Sequence, residues 1–253
     1  MLKIAIPTTP SITPYIEKAI SVLKSEGFNV VLATESEVED LLHRNYVDLA
    51  FTTPLGYGRG VTVVDYRIIP SFALAVHRYT NIAGISFLPQ IEQLESSSSS
   101  TPNDFIYAVG KHLIEERYDC KLSTINEPKA DVQINWVQDS NSVPTLDIGE
   151  EWEELYNEML PLGFWVCRPE MIPENISEIL SRIYSKDEAP IEIVEQLSDT
   201  AQHFAREGTI IHTFDEKFVS GLEKALEMLY YGQWVPEIPA VKYFDGPIIP
   251  LQQ

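Results

Sequence analysis

The opening of the chain, residues 1–54, alternates short apolar runs with amphipathic helical stretches, and that alternation narrows the fold more than any other feature. An apolar run at 2–6 predicts a buried strand. A helix over 14–26 follows, with Ile16, Ala19, Ile20 and Leu23 on one face and Gly27 to stop it. Residues 28–33 read as a strand, 35–44 as a helix carrying Val38, Leu41 and Leu42 inward, and 47–51 as a third strand. Strand–helix–strand–helix–strand is the pattern of a parallel α/β sheet. In such sheets ligands bind in the crevice beyond the carboxyl ends of the strands. Here those ends carry hydroxyls and prolines: Thr8-Thr9-Pro10-Ser11-Ile12-Thr13-Pro14 after the first strand and Thr52-Thr53-Pro54 after the third.

A third loop of this type is the run from Glu95 to Asp104, with five consecutive serines before Thr101 and Pro102. Thr101 reads as a helix N-cap, Pro102 as the first helical residue and Asp104 as a capping-box acid, with the helix running to about 117. The free N–H groups and positive dipole end of such a turn suit an anion. A flexible polar linker is the competing reading of a serine run.

Between and beyond these loops, 56–60 reads as a glycine-rich turn and 61–64 as a short apolar run. Strands are expected over 66–77, 82–87, 130–137, 145–148 and 162–167, with a weaker one at 120–124. Helices are expected over 150–158, 175–185, 191–206 and 215–231, and the tail from Trp234 holds four prolines and should wrap over a surface or meet a partner. The plan is bipartite: residues 1–76 plus 164–253 form one lobe and 77–163 a second, with crossings near 76–82 and 160–166 acting as a hinge over a cleft.

A net charge of −20 on 253 residues argues against nucleic acid and anionic membrane as partners, and leaves a small anion dependent on local donors. The two cysteines, Cys120 and Cys167, have no metal-ligand spacing, and no metal or other cofactor is implied. No apolar run reaches membrane-spanning length and the start does not read as a signal peptide, so cytoplasm is the expected location.

The candidate site residues follow from the loops. Thr9, Ser11, Thr53, Ser100, Thr101 and Asn103 can donate or accept hydrogen bonds at strand or helix ends, and Arg78 at the first crossing offers a two-pronged carboxylate donor. His77 is a weaker base candidate, and His43, His112, His203 and His212 read as structural or exposed. Asp147 either orients the closing strand or reaches the cleft, and the acids at 150, 151, 153 and 154 read as a solvated helix face.

Several segments together resemble a known family. These are Val47-Asp-Leu-Ala-Phe-Thr-Thr-Pro-Leu-Gly-Tyr57, Tyr66-Arg-Ile-Ile-Pro70, Leu146-Asp-Ile-Gly-Glu-Glu-Trp-Glu-Glu154 and Leu160-Pro-Leu-Gly-Phe-Trp-Val-Cys-Arg168. They resemble the menaquinone-biosynthesis enzymes of the futalosine route, above all the chorismate dehydratase group, over most of residues 1–230. The resemblance implies an α/β, two-lobed type II periplasmic-binding-protein-like fold with a hinge and an interlobe cleft. It also implies a cofactor-free carbon–oxygen lyase that removes water from chorismate to give a carboxyvinyloxy-benzoate. By position, Ser100, Thr101 and Asn103 match the family's carboxylate-binding loop, and Ser11 stands where the dehydratases carry an asparagine, which makes it the candidate catalytic residue. The expected partner is a small anionic organic acid, with a homodimer possible. A non-catalytic intracellular solute-binding or sensing protein of the same fold is the alternative, and another enzyme of the same pathway a third.

Overall fold

In the computed structural model, which describes residues 2–126, 129–137, 144–169, 172, 176–183, 189–197, 203–244 and 248–249, the opening alternation becomes the parallel part of a seven-stranded sheet. β1 (Lys3–Pro7), α1 (Thr13–Ser25), β2 (Asn29–Ala33), α2 (Glu35–His43), β3 (Leu49–Thr52), α3 (Pro54–Val61) and β4 (Arg67–Arg78) come first. The second lobe follows with β5 (Ala83–Phe87), β6 (Ser96–Ser98), α4 (Phe105–Tyr118), β7 (Ser123–Thr124), β8 (Val132–Trp136), β9 (Leu146–Asp147) and α5 (Ile148–Tyr156). The chain returns through β10 (Leu160–Cys167), α6 (Ile176–Ser181), β11 (Ile191–Val194), β12 (Glu207–Thr213), α7 (Glu216–Tyr231), β13 (Val241–Lys242) and β14 (Ile248–Ile249).

The large sheet has the order β11-β12-β4-β10-β3-β1-β2. β1 pairs in parallel with β2 and β3, whereas β10 runs antiparallel between β3 and β4. Every residue of β10 is buried, which is why it reads as an unbroken apolar run rather than an alternating one. Phe51, Phe72 and Trp165 pack against one another on this sheet, with Phe51 and Trp165 edge to face. The second sheet has the order β7-β6-β8-β5-β9 and packs α4 against β8. The fold is therefore α/β with two main sheets, one per lobe, and a two-stranded β13-β14 ribbon in the tail.

The structure departs from the sequence expectations in four places. The serine run is no linker: Ser96–Ser98 is a strand paired with β7 and β8, and Ser97 and Ser98 are buried. The helix after it starts at Phe105, not at Thr101. Asp104 takes the N-cap position, and residues 101–104 form a turn closed by the Asp104 N–H on the Thr101 carbonyl at 3.1 Å.

Residues 56–60 belong to a helix rather than a turn. Thr53 caps it by accepting the Gly56 N–H at 3.3 Å, and Pro54 is preset for its first position. Its glycines permit close approach: a Cβ at Gly60 would overlap the Tyr66 ring, and one at Gly56 would overlap the Thr52 hydroxyl. Finally, the described residues of the helix expected over 191–206 are not helical. Ile191, Val194 and Leu197 recur at helical spacing, but Ile191–Val194 pairs antiparallel with β12, and the Glu195 carboxylate closes the hairpin by accepting from the Arg206 N–H (3.1 Å) and guanidinium (2.7 Å). The expected strand end at 138–141 lies outside the described residues, as does part of the helix expected over 175–185.

The tail does cover a surface. Tyr57 donates its hydroxyl proton to the Ala240 carbonyl at 2.8 Å and accepts the Lys242 N–H at 3.1 Å, while the Phe244 N–H reaches Ile68.

Candidate functional site

One side chain of the second lobe fastens the first crossing to it. Asp147, fully buried ahead of α5, accepts the Thr80 N–H at 3.3 Å, the Asn81 N–H at 2.8 Å and the Glu150 N–H at 3.0 Å. Burial pushes its carboxyl up to about 6 against the pull of those donors. Arg78 and Asn81 both take left-handed backbone, with φ of 63° and 53°, so the chain turns sharply as it leaves β4. Asp147 is thus a brace of the hinge.

Beside the hinge lies a hollow of about 380 Å³. The first loop and α1 contribute Ser11 and Tyr15, the crossing Tyr79, Thr80 and Asn81, and the β11 edge Gln196. Its wall is closed where the Ser11 hydroxyl donates to the carbonyl of Val137, at the end of β8 in the other lobe. The Asn81 side-chain oxygen is buried and has no hydrogen-bond partner among the described residues. Burial raises the Tyr15 and Tyr79 hydroxyls above their usual range. Arg206 stacks over the Tyr79 ring at 4.3 Å and is held by Glu195 and, at 3.3 Å, by Glu150. That pairing keeps Glu195 at about 2. The hollow offers hydroxyl and amide groups and two aromatic faces, with no carboxylate or imidazole among the described residues of its lining.

The lobes meet a second time at Glu35, the first residue of α2, which is only 5% exposed. One of its oxygens accepts both the Thr53 hydroxyl at 2.8 Å and the Phe105 N–H at 2.9 Å. Burial, then the nearby charges of Asp104 and Glu39, push Glu35 up to about 8; Asp104 is raised too, chiefly by burial. Arg59 pairs with Glu39 at 3.1 Å and reaches the Asn103 carbonyl at 3.4 Å. Outside this contact is a wider hollow of about 610 Å³, lined by Glu37, Glu39, Asp40, His43, Arg59 and Asn103 among others.

The candidate residues therefore do not share one hollow. Ser11 lies at the hinge side, and Thr53 and Asn103 at the Glu35 side. Thr9 builds the turn into α1, its carbonyl accepting the Ile12 and Thr13 N–H groups. Ser100 donates its N–H and hydroxyl to Asn135 at 2.8 and 2.9 Å, which fixes the loop internally. Thr101 serves Asp104 through its carbonyl, which accepts the Asp104 N–H. Arg78 points its 61%-exposed side chain at Glu153, 3.6 Å away, and lines neither hollow. Glu35, Tyr15, Tyr79, Asn81 and Asn135 were not singled out from the sequence. Glu35 reads there as an ordinary first-turn acid beside the Thr34–Glu37 capping box, and nothing local marks it as buried. Among the described residues no group of three or more His, Cys, Asp or Glu side chains is placed to hold a metal ion.

No family model and no curated protein sequence matches the chain. Solved structures do. Protein AF1704 from Archaeoglobus fulgidus superposes with a TM-score of 0.58 at 13% identity, covering 92% of this chain and 98% of that one. The aliphatic sulphonate-binding protein SsuA of Escherichia coli gives 0.54 at 8% identity, covering 100% and 94%. The alkanesulfonate-binding SsuA of Xanthomonas axonopodis pv. citri, solved with MOPS bound, gives 0.53 at 7% identity, covering 94% and 95%. At such identities the likeness shows the fold: two-lobed and periplasmic-binding-protein-like.

Proposed function

We propose that this chain binds a small organic acid in the hinge-side hollow, with opening and closing of the lobes controlling entry. The observation that carries the reading is the junction of the Ser11 loop, the hinge crossing and the end of β8 around about 380 Å³ of space between the lobes. That volume suits a molecule of metabolite size. The SsuA proteins, with the same architecture, bind sulfonates, and the Xanthomonas one holds MOPS. On a chain of net charge −20, an acid here would be held by neutral donors, the hydroxyls of Ser11, Tyr15, Tyr79 and Thr80 and the amides of Asn81 and Gln196.

A second reading is a chorismate dehydratase-like lyase, favoured by the candidate Ser11 lying in the hollow. Eliminating water next to a carboxylate requires a base for one proton and an acid for the leaving hydroxyl. With no carboxylate or imidazole among the described residues of the lining, the substrate's own carboxylate would serve as base. One experiment separates the readings: incubate the protein with chorismate, follow loss of substrate and formation of a new aromatic acid, and record the melting temperature in parallel. Saturable stabilisation without turnover supports binding alone. Turnover lost in Ser11→Ala supports the lyase. Neither response removes chorismate as the ligand.

A further inference from the structure

The donors at the second lobe contact are already in use. Thr53 caps α3 in the first lobe, and Phe105 provides the first N–H of α4, a 14-residue helix of the second. A hydroxyl and a helix-start N–H converging from two lobes form a carboxyl-binding pair. The group they hold is Glu35, at 2.8 and 2.9 Å, almost wholly shielded from water.

We propose that Glu35 is a built-in carboxyl ligand: it fills, from within the chain, an interlobe carboxyl site made by the Thr53 hydroxyl and the Phe105 N–H, and thereby clasps the cleft shut at this end. Every charged group facing it bears on when the clasp holds. Glu39 lies one turn along α2, Asp104 precedes α4, and Arg59 on α3 pairs with Glu39 and bridges to Asn103; Asp40 adds a further negative charge beside Glu39. With Arg59 engaged by Glu39, the facing acids Glu35 and Asp104 are not both charged at neutral pH. A protonated Glu35 still accepts both donors through one oxygen. Once it ionises, it confronts Asp104 and Glu39 across the seam. The clasp is thus held below the raised pKa of Glu35 and weakened above it. This holds whatever molecule the hinge-side hollow takes.

Two variants test the proposal. In Glu35→Ala the donors are vacated, and acetate becomes the probe: at constant ionic strength it should raise the melting temperature saturably, on the order of 2–4 °C, while wild type and the Glu35→Ala/Thr53→Val double variant do not respond. Glu35→Gln keeps the shape and an oxygen acceptor but cannot ionise. Folding of wild type should take up about one proton more than folding of Glu35→Gln between pH 5 and 8, so the wild-type melting temperature falls more steeply over that range. Small-angle scattering should show wild type expanding above pH 8.5 and Glu35→Gln staying compact. A folded Glu35→Ala that ignores acetate overturns the proposal. Equal pH slopes for wild type and Glu35→Gln overturn it as well, and they decide the matter if Glu35→Ala does not fold.

Discussion

Two of the places where the lobes touch are built from similar parts and end in opposite states. At the hinge side, a strand-end serine reaches a carbonyl of the other lobe and leaves a hollow walled by hydroxyls and amides. At the other contact, a strand-end threonine and a helix start also meet across the lobes, but an internal carboxyl occupies the space between them. Donors at strand ends do not by themselves make a vacant ligand site. What separates the two contacts is whether a neighbouring element supplies a partner of its own, and α2 supplies Glu35 at one and nothing at the other.

That contrast can be pressed from several directions. The largest effect is expected for Asp147→Ala, which strips the acceptor from two backbone N–H groups at the first crossing and from the Glu150 N–H at the start of α5. A loss of about 3 kcal/mol or more in urea unfolding is expected, together with weakening of any ligand response; a near-neutral variant would show that the hinge is braced elsewhere. Thr53→Val acts at the filled contact alone. It should cost roughly 1–3 kcal/mol and leave ligand binding in the hinge-side hollow intact.

Raising the pH should weaken both the filled contact and the hinge. Glu35 and Asp147 have folded-state pKa values of about 8 and about 6, both above the ordinary carboxyl range. Groups raised in this way hold more protons folded than unfolded, so their contribution is full below the unfolded value and declines as pH climbs toward the folded one. The melting temperature should therefore drop between pH 5 and 8. Glu195, held near 2, works the other way and only in acid, below about pH 4.5. The smallest change in stability, about 1 kcal/mol or less, is expected for Ser11→Ala, which nonetheless should abolish ligand-induced stabilisation. A Ser11→Ala protein that binds as well as wild type would detach the first loop from the site.

Much of the architecture was legible because it rests on periodicity. The alternation up to Thr53, the unbroken apolar β10 and the amphipathic α7 each carry a pattern that only one kind of element satisfies. Where reading failed, a tertiary contact overrode a local signal. The glycines of α3 look like turn residues until Tyr66 and Glu39 are seen pressed against them. The spacing of Ile191, Val194 and Leu197 suits a helix until β12 offers a strand partner and Arg206 a counter-ion for Glu195. The hydroxyl loops were identifiable as chemistry, but their separation into two contacts was not, since it depends on Asn135, Val137 and Glu35 meeting them from distant parts of the chain.

The place of β10 has a consequence for how the chain is made. It lies between β3 and β4, so those strands have no direct partner in each other, and the residues that fill the gap come from 160–167. A ribosome delivers the whole second sheet before it delivers that filler. The emerging first lobe must therefore wait with a slot in the middle of its largest layer, and a chain stalled between about residues 78 and 160 presents that open slot to whatever chaperone or neighbour is at hand.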